Sequence, residues 1–333
     1  MNTEQALAWI QDTGKPATLQ LDELRDIPAA CDWLEQVRSQ LRSALDEYGA
    51  IFLRGLPVAS VEDVAQLRNV LIPERTPYRE KATPRSDLGH DVFSSTDLPP
   101  SQSISMHNEN SYTLTFPGLL MFACLVAPAE GGATPVADCR KVLAALPPAL
   151  VERMRAHGWS LTRTYSENIS TDWRTAFAAD SPAEVEAYCE ANLISCRWDG
   201  DDGLRTRQVR PGVIHHPRTS EAVWFNHLAF WNAWALDPEI RETLVDEFGW
   251  DNLPFNTAIA DGAPLTEDEL HCIDDAYAAA TVRQRWQPGD VMLVDNILST
   301  HGRDPFRGAR KIVVAMGQPV DLLDCSPTVQ PAA

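Results

Sequence analysis

The segment Val291-Met292-Leu293-Val294-Asp295-Asn296-Ile297-Leu298-Ser299-Thr300-His301 decides the predicted fold of this chain. It begins with an apolar run just after the turn residues Pro288-Gly289, which indicates a buried strand that runs into a polar turn. We predict that Asp290 to Val294 lies in a barrel. The turn, which has His301 at its end, would then lie at the open mouth of that barrel.

Other short apolar runs bounded by turn residues also indicate strands. They are Ala50 to Leu53, Leu119 to Val126, Val223 to Phe225 and Lys311 to Met316. Helical spacing predicts helices between them: one through Leu34, Val37, Leu41 and Leu45 that ends at Gly49, and others over Gln66 to Ile72, Pro148 to His157 and Leu265 to Ala280, the last capped by Thr266. Short strands with inserted helices predict a mainly β, jelly-roll-like barrel rather than a doubly wound sheet.

Composition excludes several classes of partner. The chain has 333 residues, with 47 acidic and 28 basic side chains and a net charge of −19, which argues against binding to nucleic acid or an anionic membrane. No apolar run approaches the roughly 20 residues of a membrane span. Met1 to Ile10 lacks the basic flank and apolar stretch of a secretory signal. Seven scattered cysteines, an odd number, favour reduced thiols in a cytoplasmic protein.

The stretch Met106-His107-Asn108-Glu109-Asn110-Ser111-Tyr112 contains the first candidate site residues. Residues two apart on a strand point to the same side, so His107 and Glu109 can present an imidazole and a carboxylate to one point. These are two of the three ligands in the 2-His-1-carboxylate triad that binds Fe(II). The motif alone is a weak signal, because 8 histidines and 47 acidic residues give about one chance match.

His301 is the best candidate for the third ligand, because it follows the apolar strand at the predicted barrel mouth. A single such histidine is more often structural, but the other histidines fit the triad less well. We interpret His227 as a pocket-lining residue and His271 as a helix-surface residue. The rest are loop or helix-end residues, or an adjacent pair that points to opposite faces of a strand: His90, His157, His215 and His216.

Arg310 and Thr134 are candidate contacts for a carboxylate. Arg310 enters the apolar strand that follows His301, where a guanidinium that points into the barrel needs an anionic partner. Its forked geometry suits a carboxylate of a substrate or cosubstrate. Thr134 lies in the turn Gly131-Gly132-Ala133-Thr134-Pro135. The alternatives are a surface arginine paired with one of the many acids and an ordinary turn threonine.

In order, the H-x-[DE] motif, the Gly-Gly-x-Thr segment and a distal His followed by an Arg resemble one family. It is the taurine dioxygenase and clavaminate synthase-like Fe(II)/2-oxoglutarate-dependent oxygenases, and the resemblance spans about Ala50 to Gln318. The stretches Thr83-Pro84-Arg85, Ser95-Thr96 and His107 to Tyr112 resemble its branch with the syringomycin-pathway aspartyl hydroxylase. The commonest residue of this superfamily at the position of Glu109 is Asp. A Glu at this position resembles the clavaminate synthase-like members.

The resemblance implies a double-stranded β-helix, or jelly roll, with helical insertions. It also implies that residues 1–333 form a single oxygenase domain. The parts of that domain would be an N-terminal helix and strand region at about 1–75, a lid-like loop at about 76–103, and a jelly-roll core with a helical insert at about 104–320.

The resemblance further implies a cofactor site that uses Fe(II), 2-oxoglutarate and O2. Three side chains would bind Fe(II): His107, Glu109 and His301. The far carboxylate of 2-oxoglutarate would contact Thr134 and Arg310. Lys311 is the alternative to Arg310, but a lysine cannot make the forked contact.

By resemblance, the substrate is an amino acid or a derivative of one, either free or attached to a carrier protein, in natural-product biosynthesis. Hydroxylation is the expected reaction, with desaturation or ring closure as alternatives. Halogenases of this superfamily lack the carboxylate ligand, whereas Glu109 fills that place here. Two other classes stay open: a hydrolase that holds zinc with the same triad, and a noncatalytic jelly-roll binding protein. The hydrolase would leave Arg310 and Thr134 without a role.

Overall fold

A computed structural model of the chain describes residues 7–76, 80, 85–95, 98–166, 171–200 and 203–333. Thr83, Pro84 and Thr96, which contribute to the family resemblance, lie outside the described residues. Parts of the lid-like loop predicted at 76–103 lie outside them as well.

The α-helices within the described ranges are α1 (Ile27–Tyr48), α2 (Val61–Leu71), α3 (Cys139–Ala145), α4 (Pro148–His157), α5 (Trp173–Phe177), α6 (Pro182–Ala191), α7 (Pro238–Phe248) and α8 (Glu267–Ala280). The strands are β1 (Ala17–Gln20), β2 (Ala50–Arg54), β3 (Phe93–Ser94), β4 (Ile104–His107), β5 (Thr115–Val126), β6 (Glu130–Gly131), β7 (Val136–Asp138), β8 (Trp159–Tyr165), β9 (Ser195–Asp199), β10 (Gly203–Arg210), β11 (Val213–His215), β12 (Ala222–Trp224), β13 (Phe255–Ile259), β14 (Thr281–Val282), β15 (Val291–Asp295), β16 (Ser299–Arg303), β17 (Phe306–Arg307) and β18 (Lys311–Asp321). Short 3-10 helices occupy Ala233–Ala235, Trp250–Asn252 and Leu322–Cys325.

Two sheets build the part of the fold that holds the candidate site. The larger has six strands in the order β1-β2-β15-β5-β18-β3, where only the β1–β2 pair is parallel. The smaller has four antiparallel strands in the order β14-β7-β16-β4. A third sheet, β13-β8-β10-β9, lies in the insert between α3 and β15, and β11–β12 and β17–β6 form short pairs.

The six-stranded sheet is covered on both faces. Helices α1 and α2 pack on one face, against alternate residues such as Leu53 of β2 and Met121 of β5. Phe52 and Phe122 point to the other face, where they pack with Val136 of the four-stranded sheet. Burial on both faces explains why β5 reads as one continuous apolar run rather than as an alternating strand.

The predicted elements are present, with shifted ends. Helix α1 ends at Gly49 (φ 71°), and α8 begins after the capping box of Thr266, as predicted. Helix α2 begins at Val61, earlier than predicted, because Ser60 and Asp63 form a second capping box. The prediction of a mainly β fold with inserted helices is confirmed.

The structure also bears on two of the predictions made from composition. All seven cysteines are free thiols, as predicted. Within the described ranges, no helix combines the length and apolar character needed to cross a membrane.

Candidate metal centre

Two histidines and one glutamate converge in a buried pocket between the two sheets. His107 is the last residue of β4, and His301, in the middle of β16, is its antiparallel partner. The Oε2 atom of Glu109 lies 4.0 Å from Nε2 of His107 and 3.7 Å from Nε2 of His301. All three residues are buried, and one potential ligand atom from each lies within 4.8 Å of the others. The structure therefore brings the three candidate residues together as one group.

Glu109 reaches this group without the help of strand geometry. Strand β4 ends at His107, so Glu109 lies beyond the strand, and the prediction that both residues share a strand face is wrong. Instead, Asn296 holds the Glu109 backbone. Its Oδ1 accepts a hydrogen bond from the Glu109 N–H at 2.7 Å, and its Nδ2 donates to the Glu109 carbonyl at 2.9 Å. The same Nδ2 donates to the carbonyl of Pro117 at 2.7 Å.

Replacing Asn296 by alanine is expected to destabilise the protein by about 3 kcal/mol, because it leaves three buried backbone groups without this partner. Urea unfolding of the metal-free protein measures the effect. Asn252→Ala is the matched control, since Asn252 makes an exposed hydrogen bond to the carbonyl of Phe248. A loss of stability in the Asn296→Ala variant no larger than in the control would contradict this role.

His301 lies within a strand, and the prediction that it ends a turn is wrong. The turn after β15 is shorter than expected, because Oδ1 of Asp295 accepts hydrogen bonds from the N–H groups of Ile297 and Leu298 at 3.0 and 3.1 Å. The chain leaves the six-stranded sheet at Asp295 and immediately enters the four-stranded sheet as β16. This crossing places His301 beside His107 on the neighbouring strand.

The electrostatics of the group suit a metal ion. Burial lowers the pKa of His107 and holds that of His301 well below its ordinary value, so both rings are neutral near pH 7. Nδ1 of His107 lies 2.9 Å from the carbonyl of Ser105, which can only accept, so Nδ1 carries the proton and Nε2 faces Glu109 with its lone pair. Two neutral imidazoles and a carboxylate are the donor set of 2-His-1-carboxylate Fe(II) sites. The residues therefore fit this metal.

Arg85 is a functional candidate that the sequence analysis did not assign to the site. Its Nη2 donates to Oε2 of Glu109 at 2.7 Å, and both side chains are 5% exposed. Its Nη1 lies 3.4 Å from Sδ of Met316. The sequence signal for this residue is the stretch Thr83-Pro84-Arg85, which suggested a family but not a contact with the metal site.

Arg310 and Thr134 line the same pocket as the two histidines. Arg310 donates to Oγ1 of Thr134 at 3.3 Å, to Oγ of Ser95 at 3.1 Å and to the carbonyl of Gly132 at 3.0 Å. Burial lowers the pKa of Arg310 to about 10, so the guanidinium stays charged near pH 7. Lys311, the alternative, is exposed at the start of β18. The geometry thus favours Arg310 over Lys311 as the partner of a buried carboxylate.

His227 is buried beside His107 but does not belong to the His–Glu–His group. Its Nδ1 lies 2.6 Å from Oγ of Ser111, and its ring centroid lies 5.4 Å from that of His107 and 4.4 Å from that of Trp231. The residues that line the pocket of His107 and His301 do not include His227, so the pocket-lining interpretation stays a prediction. His271 is exposed on α8, as predicted.

A second group of potential ligands, Asp46, His216 and Asp295, lies elsewhere in the structure. Its carboxylates are paired with arginines: Arg42 lies 2.9 Å from Asp295, and Arg218 lies 2.6 Å from Asp46. We interpret this group as an ion-pair network rather than as a metal site.

A buried His–Glu–His group that shares its pocket with a half-buried arginine, on a mainly β scaffold, is typical of the non-haem Fe(II)/2-oxoglutarate-dependent oxygenases. The profile of the taurine catabolism dioxygenase TauD, TfdA family matches residues 15–316. The chain belongs to this family.

Similar proteins agree with this placement. The dapdiamide synthesis protein DdaC of Enterobacter agglomerans is 34% identical over 276 residues, which cover 83% of this chain and 84% of that protein. A clavaminate synthase-like protein of Arabidopsis thaliana is 28% identical over 304 residues, with 87% and 88% covered. The crystal structure of PvcB from Pseudomonas aeruginosa shares the fold, with a TM-score of 0.55 at 16% identity over 94% of this chain and 92% of that one.

Family membership confirms that the protein is an oxygenase that uses Fe(II), 2-oxoglutarate and O2. It therefore favours the predicted oxygenase over the metal hydrolase and the noncatalytic binding protein. A small-molecule substrate fits the same family.

Proposed function

We propose that His107, Glu109 and His301 bind Fe(II) and that Arg310 and Thr134 bind the far carboxylate of 2-oxoglutarate. The observation that carries this proposal is that one pocket is lined by both histidines, Thr134 and Arg310. Oε2 of Glu109 lies 3.7 Å from Nε2 of His301 and 4.0 Å from Nε2 of His107. The pocket thus offers a metal donor set and a carboxylate partner side by side.

The bound iron would supply the activation of O2 that oxidises 2-oxoglutarate to succinate and carbon dioxide and oxidises a C–H bond of the substrate. The residues of the protein orient the 2-oxoglutarate and limit the access of water. The fork of Arg310 fixes the orientation of the keto acid through charge-assisted hydrogen bonds. The rings of Phe122 and Phe230 lie 5.2 Å from His301 and 4.7 Å from His107, respectively, and limit the access of water to the site.

For the substrate, we propose an amino acid or amino-acid derivative, either free or attached to a carrier protein, in natural-product biosynthesis. The similarity to a protein named for dapdiamide synthesis supports this class. A screen that measures succinate formation, with each candidate offered both free and carrier-bound, tests it. A cytoplasmic location stays a prediction from the sequence.

For the architecture, we propose a jelly roll that forms a single oxygenase domain, with residues 76–103 as a lid over the site. The family match over residues 15–316 and the two packed sheets support this arrangement. Ser95 supports the lid, because it contacts Arg310 from within this segment.

An anaerobic titration tests the cofactor assignment directly. Fe(II) and 2-oxoglutarate added together are expected to give a visible charge-transfer band. Zinc in place of Fe(II) is the control, since it gives no such band. A wild-type protein that binds both compounds and shows no band would contradict the proposal.

The enzyme is expected to hydroxylate its substrate and not to halogenate it. Glu109 supplies a carboxylate where a halide would need to sit, and its negative charge opposes a further anion there. Mass spectrometry of the product formed in chloride buffer under ¹⁸O-labelled dioxygen measures the outcome. One labelled oxygen in the product is the expected result, with unlabelled dioxygen as the control. A chlorinated product from the unmodified enzyme would contradict it.

A further inference from the structure

Arg85 and a metal ion would require the same oxygen atom. Nη2 of Arg85 donates to Oε2 of Glu109 at 2.7 Å. That same oxygen is the one that lies 3.7 and 4.0 Å from the Nε2 atoms of His301 and His107. A metal held by all three side chains would therefore approach Oε2 of Glu109, the atom that accepts the hydrogen bond from the guanidinium.

We propose that Arg85 competes with the metal for Glu109. In the metal-free protein, the guanidinium neutralises the carboxylate, and a divalent cation must displace it from Oε2 in order to bind. Arg85 thereby lowers the affinity of the site for metal. This inference rests on the proposed function, because it takes Glu109 as a metal ligand.

Burial makes the competition strong. The Arg85 and Glu109 side chains are each 5% exposed, so water screens neither their attraction nor the repulsion between the guanidinium and an incoming cation. When Arg85 is removed, the carboxylate of the metal-free protein loses its neutralising partner. The metal then supplies the compensation that Arg85 supplied before, and binding becomes tighter.

The affinity of Mn(II) for the metal-stripped full chain tests the proposal without turnover. Free Mn(II) is measured by electron paramagnetic resonance, in the absence of 2-oxoglutarate. The Kd of the Arg85→Met variant is expected to fall about tenfold or more relative to wild type. The Arg85→Lys variant, which keeps the charge but loses the fork, is expected to lie between the two.

Arg303→Met is the matched control. Arg303 lines the same pocket, but its guanidinium donates to the carbonyls of Leu98, Pro99 and Gln102 and not to Glu109. This variant removes one positive charge from the pocket and leaves the Arg85 contact in place. Its Kd for Mn(II) is expected to stay within about threefold of wild type, because the Arg303 guanidinium is held by three backbone carbonyls and does not occupy Oε2 of Glu109.

The failure of this inference is distinguishable from the failure of the proposed ligand set. An Arg85→Met Kd that is unchanged or higher, in a protein with a wild-type circular dichroism spectrum, would overturn the competition. If that variant does not fold, Arg85→Gln takes its place, and the same fall in Kd is required of it. Wild-type affinity in the Glu109→Gln variant would instead overturn the role of Glu109 as a ligand, and the inference with it.

Discussion

Replacing His301 by alanine is expected to abolish Fe(II) binding and turnover together. The variant removes one of three donors and leaves a site with one imidazole and one carboxylate. Loss of a supporting group outside the ligand set costs about 10–100-fold in metal affinity, so we expect loss of a ligand to cost more than about 100-fold. Titration of the metal-stripped protein with Mn(II), together with an assay of succinate formation, measures both effects.

His271→Ala is the control for this variant, because His271 is exposed on α8. It is expected to bind metal as the wild type does. The result that would contradict the assignment involves His227, because this histidine also lies close to His107. If His301→Ala kept its metal affinity and His227→Ala lost it, the distal ligand would be His227.

Replacing Arg310 by leucine is expected to raise the requirement for 2-oxoglutarate about 100-fold, since loss of a buried charged partner costs about 3 kcal/mol. Fe(II) binding is expected to stay close to wild type, because Arg310 donates its hydrogen bonds to Thr134, Ser95 and Gly132 and not to the three candidate ligands. The dependence of succinate formation on the concentration of 2-oxoglutarate measures the change.

Lys311→Leu is the matched control for Arg310→Leu. The two residues are adjacent, but Lys311 is exposed while the Arg310 guanidinium is hydrogen-bonded inside the pocket. The Lys311→Leu variant is expected to keep the wild-type requirement for 2-oxoglutarate. The opposite result, a defect in Lys311→Leu and none in Arg310→Leu, would transfer the role to Lys311.

Apolar periodicity predicted the elements around the site because their burial is regular. Helix α1 buries residues at three- and four-residue steps, and β15 is buried throughout. Strand β10 of the insert sheet has no such signal. Its inward face includes Thr206, Gln208 and Arg210, so its alternation is polar on both sides and reads as a loop.

The residue types of the candidate site were predictable, but their placement was not. His107 and His301 stand in motifs with a chemical meaning, and Arg310 follows at a spacing that resembles the family's. Glu109, however, is positioned by hydrogen bonds from Asn296, and the path to His301 depends on the turn closed by Asp295. Such contacts join distant parts of the chain, and no local pattern encodes them.

The bond between Asn296 and Glu109 also has a consequence for the order in which the protein assembles. It joins residues 187 positions apart, so the ligand group exists only after a long segment of chain has been closed. The nascent or unfolded chain therefore presents no complete binding site for iron, and the metal recognises only the folded protein. A ligand that binds only the native state raises the free energy of unfolding by about 2.7 kcal/mol when its free concentration is 100 times its Kd. The supply of iron in the cell would then influence the amount of folded protein as well as its activity.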